Sequence, residues 1–446
     1  MSFPKNFVWG AASSSYQTEG AWNEDGKGLT VWDAFCREEG KIVGGDTGEV
    51  ACDSYHRFPE DVAMLKAMGL KAYRFSICWA RVFPYGFGEI NEKGFEFYDK
   101  LVDLLLENGI EPYITLFHWE LPLSLEQSGG WLNRETVDAF ANYAAVVAKH
   151  FDGRVKKYFT LNEPQCVLSH GYTLGIHAPG KKLPDREVHV IAHNMMVAHG
   201  AAVRAIRANS TGKVEVGIAS TGTLCYPEKE TPENTEAARR ASFEVGAAGW
   251  QFTHHTILDP IVLREYPSRL EKDAREAVGE SFESDLKIIA EPIDFLGFNV
   301  YTGVEVDADG KPVPRYKGFP RTALKWTVSP EVMHYGVKFL YERYKLPVYI
   351  SESGLSCNDR IYLDGKVHDA DRIDYLERYL GELQKSVGEG VDLRGYFHWS
   401  LTDNFEWQAG YDERFGLIFV DYRTGERIRK DSSFWFENYI KKHSDK

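Results

Sequence analysis

Eight short runs rich in β-branched and aromatic residues recur along the 446-residue chain, separated by stretches with helical periodicity. The runs span residues 7–13, 70–78, 111–117, 156–162, 215–221, 294–301, 347–353 and 394–401. Most of them lack a clean polar–apolar alternation, which is typical of parallel strands covered on both faces. Strands that alternate with helices predict βα units, and eight such units are the number that closes a (β/α)₈ (TIM) barrel.

The helical pattern is clearest in residues 94–109 and 134–153, and a shorter example covers 59–69. A doubly wound open sheet is the alternative fold, but it usually carries a glycine-rich phosphate turn after its first strand. Here the sequence SSSYQTEGAW follows instead. Because no low-complexity linker or short repeat divides the chain, we expect one domain over residues 1–446. The polar segment 303–330 is expected to be an elaborated loop after the sixth strand.

Charge and cysteine usage exclude several classes of function. Lysine and arginine number 52 against 66 aspartates and glutamates, a formal net charge of −14, so binding to nucleic acid or to anionic lipid is not expected. Six scattered cysteines form no CxxC pair, and neither a signal peptide nor a long apolar run is evident. We therefore expect a cytoplasmic protein without a membrane span.

Polar and aromatic side chains stand at or just beyond the carboxyl ends of the predicted strands. In a parallel barrel these ends form one rim, where active sites lie. One polar strand end alone is typical of a cap or an ion pair, whereas several on one rim predict a site. The residues concerned are Gln17, Arg74, His118, Trp119, Asn162, Glu163, Asn299, Tyr301, Glu352, Trp399, Glu406 and Trp407.

Two of these residues, Glu163 and Glu352, end the fourth and seventh strands and could act as a pair. Glycoside hydrolysis needs one protonated carboxyl for the leaving oxygen and one ionised carboxylate. A separation of about 5–5.5 Å gives retention and about 6.5–9.5 Å gives inversion, and the sequence leaves both open. Flat apolar faces for a sugar ring are available on Trp119, Trp326, Trp399 and Trp407.

Seven motifs, in chain order, make the chain similar to a known family. They are FVWGAASSSYQTEG, YRFSICWARVFP, TLFHWELP, TLNEP, LGFNVYT, YISESG and WSLTDNFEWQAGYDERFGL. Through them the chain resembles glycoside hydrolase family 1, the β-glucosidase family, from end to end. The resemblance implies a (β/α)₈ barrel and a retaining double displacement. Glu163 would be the general acid/base and Glu352 the nucleophile, with no cofactor and no metal.

The resemblance also implies roles for the neighbours of these two glutamates. Arg74 and Tyr301 would keep Glu352 ionised, and Asn162 would bond the sugar 2-hydroxyl. The subsite for the non-reducing sugar would be lined by Gln17, His118, Trp119, Asn299, Trp399, Glu406 and Trp407. The expected partner is a small β-glucoside, such as a cello-oligosaccharide or an aryl or alkyl glucoside. Side activity on galactosides and fucosides and transglycosylation are also expected, and the oligomeric state is left open.

Three alternative functions use a similar site, and one or two residues of this sequence disfavour each of them. Relatives that cleave 6-phospho-β-glucosides carry Ser, Lys and Tyr after the eighth strand, where this chain has Glu406 and Trp407. A carboxylate at that place repels a phosphate. A plant-type thioglucosidase lacks the acid carboxylate, which Glu163 supplies here. A non-catalytic sugar-binding barrel would have lost Glu163 or Glu352, and both are present.

The chain also departs from the family pattern at four positions. Ser353 replaces the asparagine after the nucleophile, so an amide is lost there. Gln165, where tryptophan is common, and Cys166 beside it predict a leaving-group side that is more polar and less able to stack. Cys78, where serine is usual, and the neighbouring Ala80 are interpreted as a change in packing.

Overall fold

The computed structural model describes residues 3–245 and 249–444. Within these ranges the chain forms twelve β-strands. They are β1 (Val8–Ala12), β2 (Ala72–Ser76), β3 (Glu111–Phe117), β4 (Lys157–Asn162), β5 (Glu215–Ser220), β6 (Cys225–Pro227), β7 (Phe295–Asn299), β8 (Val304–Val306), β9 (Val348–Ser353), β10 (Leu393–Trp399), β11 (Ile418–Asp421) and β12 (Glu426–Arg429).

Helices separate most of these strands. They are α1 (Ser15–Thr18), α2 (Val31–Phe35), α3 (Ser54–Ala67), α4 (Trp79–Val82), α5 (Glu92–Glu107), α6 (Leu123–Gln127), α7 (Arg134–His150), α8 (Pro164–Cys166), α9 (Asp185–Ala208), α10 (Pro232–Ser242), α11 (His254–Leu258), α12 (Ser268–Val278), α13 (Phe282–Ile289), α14 (Val332–Tyr344), α15 (Ala370–Gly388) and α16 (Asp431–Ser444). Two π-helical segments, Val167–Thr173 and Asp259–Leu263, and five 3₁₀ turns, Val43–Gly45, Gly130–Leu132, Trp250–Phe252, Gly279–Ser281 and Trp407–Ala409, complete the description of these ranges.

Eight of the strands close into a parallel barrel in the order β1-β2-β3-β4-β5-β7-β9-β10, with β10 pairing back to β1. The predicted (β/α)₈ barrel is therefore confirmed, and the open sheet is excluded. Every barrel strand lies within two residues of its predicted bounds. Among the described residues, no helix is both long and apolar enough to cross a membrane.

The barrel interior and the layer outside it are packed separately. Inside, small and large side chains from different strands fill the space, namely Ala12, Ala72, Tyr113, Phe159, Ala219, Phe295, Tyr349, Phe397 and Trp399, together with Phe415 from a loop. A larger cluster fills the space between the strands and the surrounding helices. The barrel interior is thus a packed core rather than a pore, and the cavity at the rim is where a ligand can bind.

The outer helices are amphipathic, as their periodicity predicts. Helix α5 buries its apolar stripe, including Phe95, Tyr98 and Val102, while its charged residues face outward. Helix α7 is capped by Asn133, whose side chain accepts a hydrogen bond from the Glu135 amide at 3.0 Å, and it ends with Lys149 and His150. Such a cap and the basic last turn both stabilise a helix.

Some elements differ from the sequence-based expectation. Helix α3 begins at Ser54, five residues before the predicted start, and accommodates Pro59 in its first turns. The segment 303–330 contains β8, which pairs in parallel with β6 above the barrel. The hairpin of β11 and β12 was not predicted either. These strands have three or four residues each, which is too short for a periodic sequence pattern to mark them.

Two helical glycines provide a matched test of the helix layer. A Cβ on Gly200 of α9 would lie 1.8 Å from the Ile288 carbonyl oxygen of α13, whereas a Cβ on Gly381 of α15 meets nothing within 4 Å. We expect Gly200→Ala to lower the free energy of unfolding by about 1–3 kcal/mol, because the helices must separate. Gly381→Ala should raise it by about 0.5–1 kcal/mol through helix propensity. Denaturant unfolding of both variants checks this, and equal stability would contradict the close helix contact.

Candidate active site

A cavity of about 540 Å³ opens at the carboxyl ends of the barrel strands. Ten of the thirteen predicted site residues lie on its wall: His118, Trp119, Glu163, Asn299, Tyr301, Trp326, Glu352, Trp399, Glu406 and Trp407. Gln17, Arg74 and Asn162 are fully buried immediately behind it. The rim of the parallel barrel thus brings together side chains from distant parts of the chain.

Glu352 lies near the end of β9, where two strong donors hold its carboxylate. Arg74 Nη1 donates to Oε1 at 2.7 Å, and the Tyr301 hydroxyl donates to Oε2 at 2.7 Å. The Arg74 side chain has no exposed surface and that of Glu352 is 4% exposed. Charge-assisted bonds in a water-poor site favour the ionised carboxylate.

Arg74 itself is bonded in three further directions. Its Nε donates to Thr115 Oγ1 at 3.1 Å, Nη1 also donates to the Ser351 carbonyl oxygen at 3.1 Å, and Nη2 donates to Asn162 Oδ1 at 2.6 Å. The guanidinium also lies over the Phe159 ring, 4.6 Å from its centroid. The arginine is therefore held in one position, from which it contacts Glu352.

Glu163 follows β4 directly and precedes the proline that starts α8. Its φ of 45° places it in the left-handed region, which costs a non-glycine residue of order 1–3 kcal/mol. Asn299 Nδ2 donates to Oε1 at 2.8 Å, and the Cys166 thiol donates to Oε2 at 3.3 Å. Trp119 and Trp407 on the same wall also have positive φ values, 83° and 49°. Three of the ten described non-glycine residues with a positive φ therefore lie on the cavity wall.

The two glutamates have different protonation preferences. Burial, together with the negative charge of Glu352, raises the pKa of Glu163 to about 8. Burial also raises the pKa of Glu352, but the Arg74 guanidinium and the Tyr301 hydroxyl oppose the rise. Of the pair, Glu352 therefore ionises first and Glu163 keeps the proton near neutral pH.

The residues immediately behind the wall orient those on it. Asn162 shares a hydrogen bond with His118, Nδ2 to Nε2 at 3.1 Å, and its Oδ1 accepts from Asn299 Nδ2 at 3.1 Å. Gln17 Nε2 donates to the Phe405 carbonyl oxygen at 2.9 Å and lies 3.5 Å from Glu406 Oε2. Burial and the Arg74 charge lower the pKa of His118 well below its usual range, so its ring is neutral.

Aromatic rings form much of the remaining wall. Trp119 and Trp407 have ring centroids 4.5 Å apart, and His118 stacks with Trp399 at 5.7 Å. Trp326 meets the Tyr301 ring edge-on, with ring centroids 5.4 Å apart. Flat apolar faces combined with polar groups suit a sugar ring, which has apolar faces and a polar rim.

The loop that follows β10 is fixed by a buried network of ions. Asp403 Oδ2 accepts from Arg414 at 2.7 Å, and its Oδ1 accepts from Lys430 at 2.6 Å and from the Gly416 amide at 3.0 Å. The network continues through the side chains of Asp359, Asp369 and Arg372, none of which is more than 2% exposed. Three cations thus balance three carboxylates beneath the segment that carries Glu406, Trp407 and Phe415.

Several wall residues were not found by sequence reasoning. They are His170, Ile176, His177, Thr221, Leu224, Phe252, Leu324 and Phe415, among others, whereas Cys166 lies on the wall as the sequence analysis expected. Most lie on loops or on the π-helical segment after α8, where no strand pattern marks a rim. Phe415 belongs to the motif after the eighth strand, which was the available signal.

The structure shows where two of the departures from the family pattern lie. Gln165 is fully buried, is absent from the cavity wall and donates to Ser220 Oγ at 2.7 Å. The prediction that its amide makes the leaving-group side polar is therefore wrong, because the side chain turns into the protein. Ser353 is also buried and shares a hydrogen bond with the Tyr375 hydroxyl at 3.1 Å.

The fold and the site together define a class of protein. A parallel barrel whose rim holds one ionised and one protonated carboxyl in an aromatic cavity is a glycoside hydrolase architecture. The sequence model described as Glycosyl hydrolase family 1 matches residues 1–445. The chain belongs to glycosyl hydrolase family 1, as the resemblance predicted.

Individual relatives agree with this assignment. Beta-glucosidase A of Thermotoga maritima is 42% identical over 448 residues, covering 98% of each chain. Beta-glucosidase A of Acetivibrio thermocellus is 42% identical over 451 residues, covering 99% of this chain and 98% of that one. Solved structures of the Thermotoga maritima β-glucosidase in complex with glucoimidazole and with deoxynojirimycin match with TM-scores of 0.91 and 0.90 at 41% identity, covering 99% of each chain.

Proposed function

We propose that this family 1 β-glucosidase works by a retaining double displacement, with Glu352 as nucleophile and Glu163 as general acid/base. The observation that carries the proposal is the unequal environment of the two buried carboxyls. Glu352 is bonded by Arg74 and Tyr301, whereas Glu163 lacks a cationic partner within hydrogen-bonding distance in the described part of the chain. One group is thereby prepared to attack, and the other to donate a proton.

In the first step a Glu352 oxygen attacks the anomeric carbon and forms an ester bond with the sugar. The bond from that carbon to the leaving oxygen breaks, and Glu163 gives its proton to the departing oxygen. The raised pKa of Glu163, about 8, keeps that proton available near neutral pH. The products are the free alcohol and a glycosyl-enzyme.

In the second step the same Glu163 acts as a base. The ester has removed the charge of Glu352, which was one of the causes of the raised pKa of Glu163. The pKa of Glu163 falls, and its carboxylate takes a proton from an incoming water. The water oxygen bonds to the anomeric carbon, and Glu352 leaves as a carboxylate. An alcohol in place of water gives transglycosylation.

The sugar at the non-reducing subsite is proposed to contact His118, Asn299, Trp399, Glu406 and Trp407 on the wall. Asn162 is proposed to bond the 2-hydroxyl, a contact that strengthens in the oxocarbenium-like transition state. Its position supports this, because it is bonded to Arg74, His118 and Asn299 around the two glutamates. Gln17 would act with Glu406 on the 4- and 6-hydroxyls.

Glucose rather than glucose 6-phosphate is the proposed sugar. Among the described wall residues there is no lysine and no arginine to balance a phosphate. Glu406 has a pKa raised to about 8 by burial and by the charge of Glu352, so it can also donate to a sugar hydroxyl. Galactosides and fucosides, which differ at the hydroxyls that Glu406 would meet, are proposed side substrates.

The proposal extends to the organisation of the protein. We treat residues 1–446 as a single glycoside hydrolase domain, supported by a family match over 1–445. The partner is a small β-glucoside with an aryl, alkyl or glucosyl leaving group. A cytoplasmic location is part of the proposal, and it rests on the six cysteines, all of which are free thiols.

A comparison of four substrates tests the sugar specificity. Initial rates are measured on the p-nitrophenyl β-glycosides of glucose, galactose, fucose and glucose 6-phosphate. We expect cleavage of the first three and none of the last, because the wall offers a carboxyl and no cation to a phosphate. Activity only on the phosphorylated sugar would overturn the role of Glu406. No activity on any of the four would favour a non-catalytic sugar-binding barrel.

Removal of the two carboxyls tests the mechanism. Glu163→Ala should lose roughly 10²–10⁴-fold in kcat/KM on a substrate with a poor leaving group, the usual contribution of a general acid. Azide should restore activity of this variant on an activated aryl glucoside, because a small anion fills the gap and attacks without a base. Glu352→Gly should be inactive on both substrates. Unchanged activity in either variant would refute the assignment.

The hydroxyl of Tyr301 should set the acidic limit of the pH profile. Its hydrogen bond stabilises ionised Glu352, so Tyr301→Phe raises the pKa of that carboxyl. Activity that needs ionised Glu352 is lost as pH falls through this pKa. The acidic limb of kcat/KM should therefore move upward by about 0.5–1 pH unit. Tyr158→Phe is the matched control, since the buried Tyr158 hydroxyl has no hydrogen-bond partner within the described residues. An acidic limb that does not move in Tyr301→Phe would contradict the proposed effect of the hydrogen bond from Tyr301 to Glu352.

A further inference from the structure

Cys166 lies one turn after Glu163 at the end of α8, and its thiol faces the carboxyl. The sulfur is 3.3 Å from Glu163 Oε2, and the Cys166 amide donates to the Glu163 carbonyl oxygen at 2.9 Å. We infer that Cys166 is a positioning residue that sets the acid strength of Glu163 by donating its S–H to the oxygen that exchanges the catalytic proton. This inference rests on the acid/base role proposed above for Glu163.

The arrangement of donors identifies which oxygen carries the proton. Asn299 Nδ2, an amide nitrogen that can only donate, occupies Oε1 at 2.8 Å, while Asn299 Oδ1 accepts from Ser351 Oγ at 2.6 Å. Oε2 is therefore the oxygen left to hold the proton and to face the leaving group. Among the described residues, the Cys166 thiol is the hydrogen-bond donor found at Oε2. Both Cys166 and Glu163 lie on the cavity wall, so the contact sits where a substrate arrives.

The thiol favours one protonation state of Glu163. When Glu163 is ionised, Oε2 accepts a hydrogen bond from the thiol S–H. When Oε2 carries the proton it is a poorer acceptor, and this hydrogen bond is weakened or lost. Cys166 therefore lowers the pKa of Glu163 relative to an apolar side chain at the same place. The thiol itself stays protonated, because burial and the Glu163 charge raise its pKa well above the usual value.

The strength of this donor matters for an acid that must later become a base. A hydroxyl at position 166 would stabilise the carboxylate more, so Glu163 would lose its proton at lower pH before the first step. A methyl group would leave the acid protonated over a wider pH range and oppose ionisation in the second step. A thiol is a weak donor and gives an intermediate pKa.

Other titratable groups near Glu163 also affect its pKa and stay unchanged when residue 166 is replaced. They come from four elements around the cavity: Glu352 of β9, Arg74 of β2, Tyr301 after β7 and Glu406 after β10. Glu352 and Glu406 favour the protonated form of Glu163, whereas Arg74 favours the ionised form. Because these groups are common to all variants, a shift between variants reports the donor at position 166 alone.

The test is the pH dependence of kcat/KM on phenyl β-glucoside, whose leaving group needs the acid. The alkaline limb reports deprotonation of Glu163. Cys166→Ala should move this limb upward and Cys166→Ser should move it downward, each by roughly half a pH unit, the size expected for a weak hydrogen bond. Plateau values within about threefold of wild type are expected. The opposite directions are the decisive result, since a loss of packing would shift both variants alike.

Cys78→Ala and Cys78→Ser are the matched controls. Cys78 is buried like Cys166 but is absent from the cavity wall, so neither change should move the alkaline limb. Circular dichroism checks that each variant folds. If Cys166→Ala does not fold, a downward shift of the alkaline limb in Cys166→Ser is by itself the result that supports the inference. No shift, or shifts in one direction for both Cys166 variants, would overturn the inference. If Glu163→Ala behaves as proposed while the Cys166 series is unshifted, only the role of Cys166 fails.

Discussion

The buried guanidinium of Arg74 is the interaction on which the active site depends. Taking a charge out of water costs several kcal/mol, and only well-placed partners offset this. Arg74 of β2 finds them on β3, β4 and β9, through Thr115, Asn162, Ser351 and Glu352. One side chain thus joins strands from opposite sides of the barrel. The geometry around Glu352 is therefore set by the closure of the barrel itself.

Much of the fold could be predicted because barrel strands must be covered on both faces. That requirement produces runs such as residues 111–117 and 156–162, which the structure reproduces within a residue or so as β3 and β4. The strands β6 and β8 lie outside the barrel and need not be covered on both faces. These three-residue strands form because the loops above the barrel bring residues 225–227 and 304–306 together. No local sequence pattern marks this long-range pairing.

The same distinction applies to the site. Rim residues such as Glu163, Glu352 and Asn299 could be proposed because strand ends converge in any parallel barrel. Side-chain direction beyond the strand ends is a tertiary property. Gln165 turns toward Ser220 while Cys166 beside it faces Glu163, although both follow the same strand. Only the packing around α8 decides which of the two neighbours reaches the cavity.

The balance of charge in the cavity connects mechanism and specificity. Three carboxyls, Glu163, Glu352 and Glu406, share one wall, while the adjacent cation, Arg74, is bonded to Glu352. Burial and the negative charge of Glu352 raise the pKa values of Glu163 and Glu406, so these two carboxyls hold protons more readily than Glu352. The excess of carboxyls therefore supplies the proton for the leaving group. The same excess opposes an anionic sugar, so one electrostatic arrangement favours both acid catalysis and neutral glycosides.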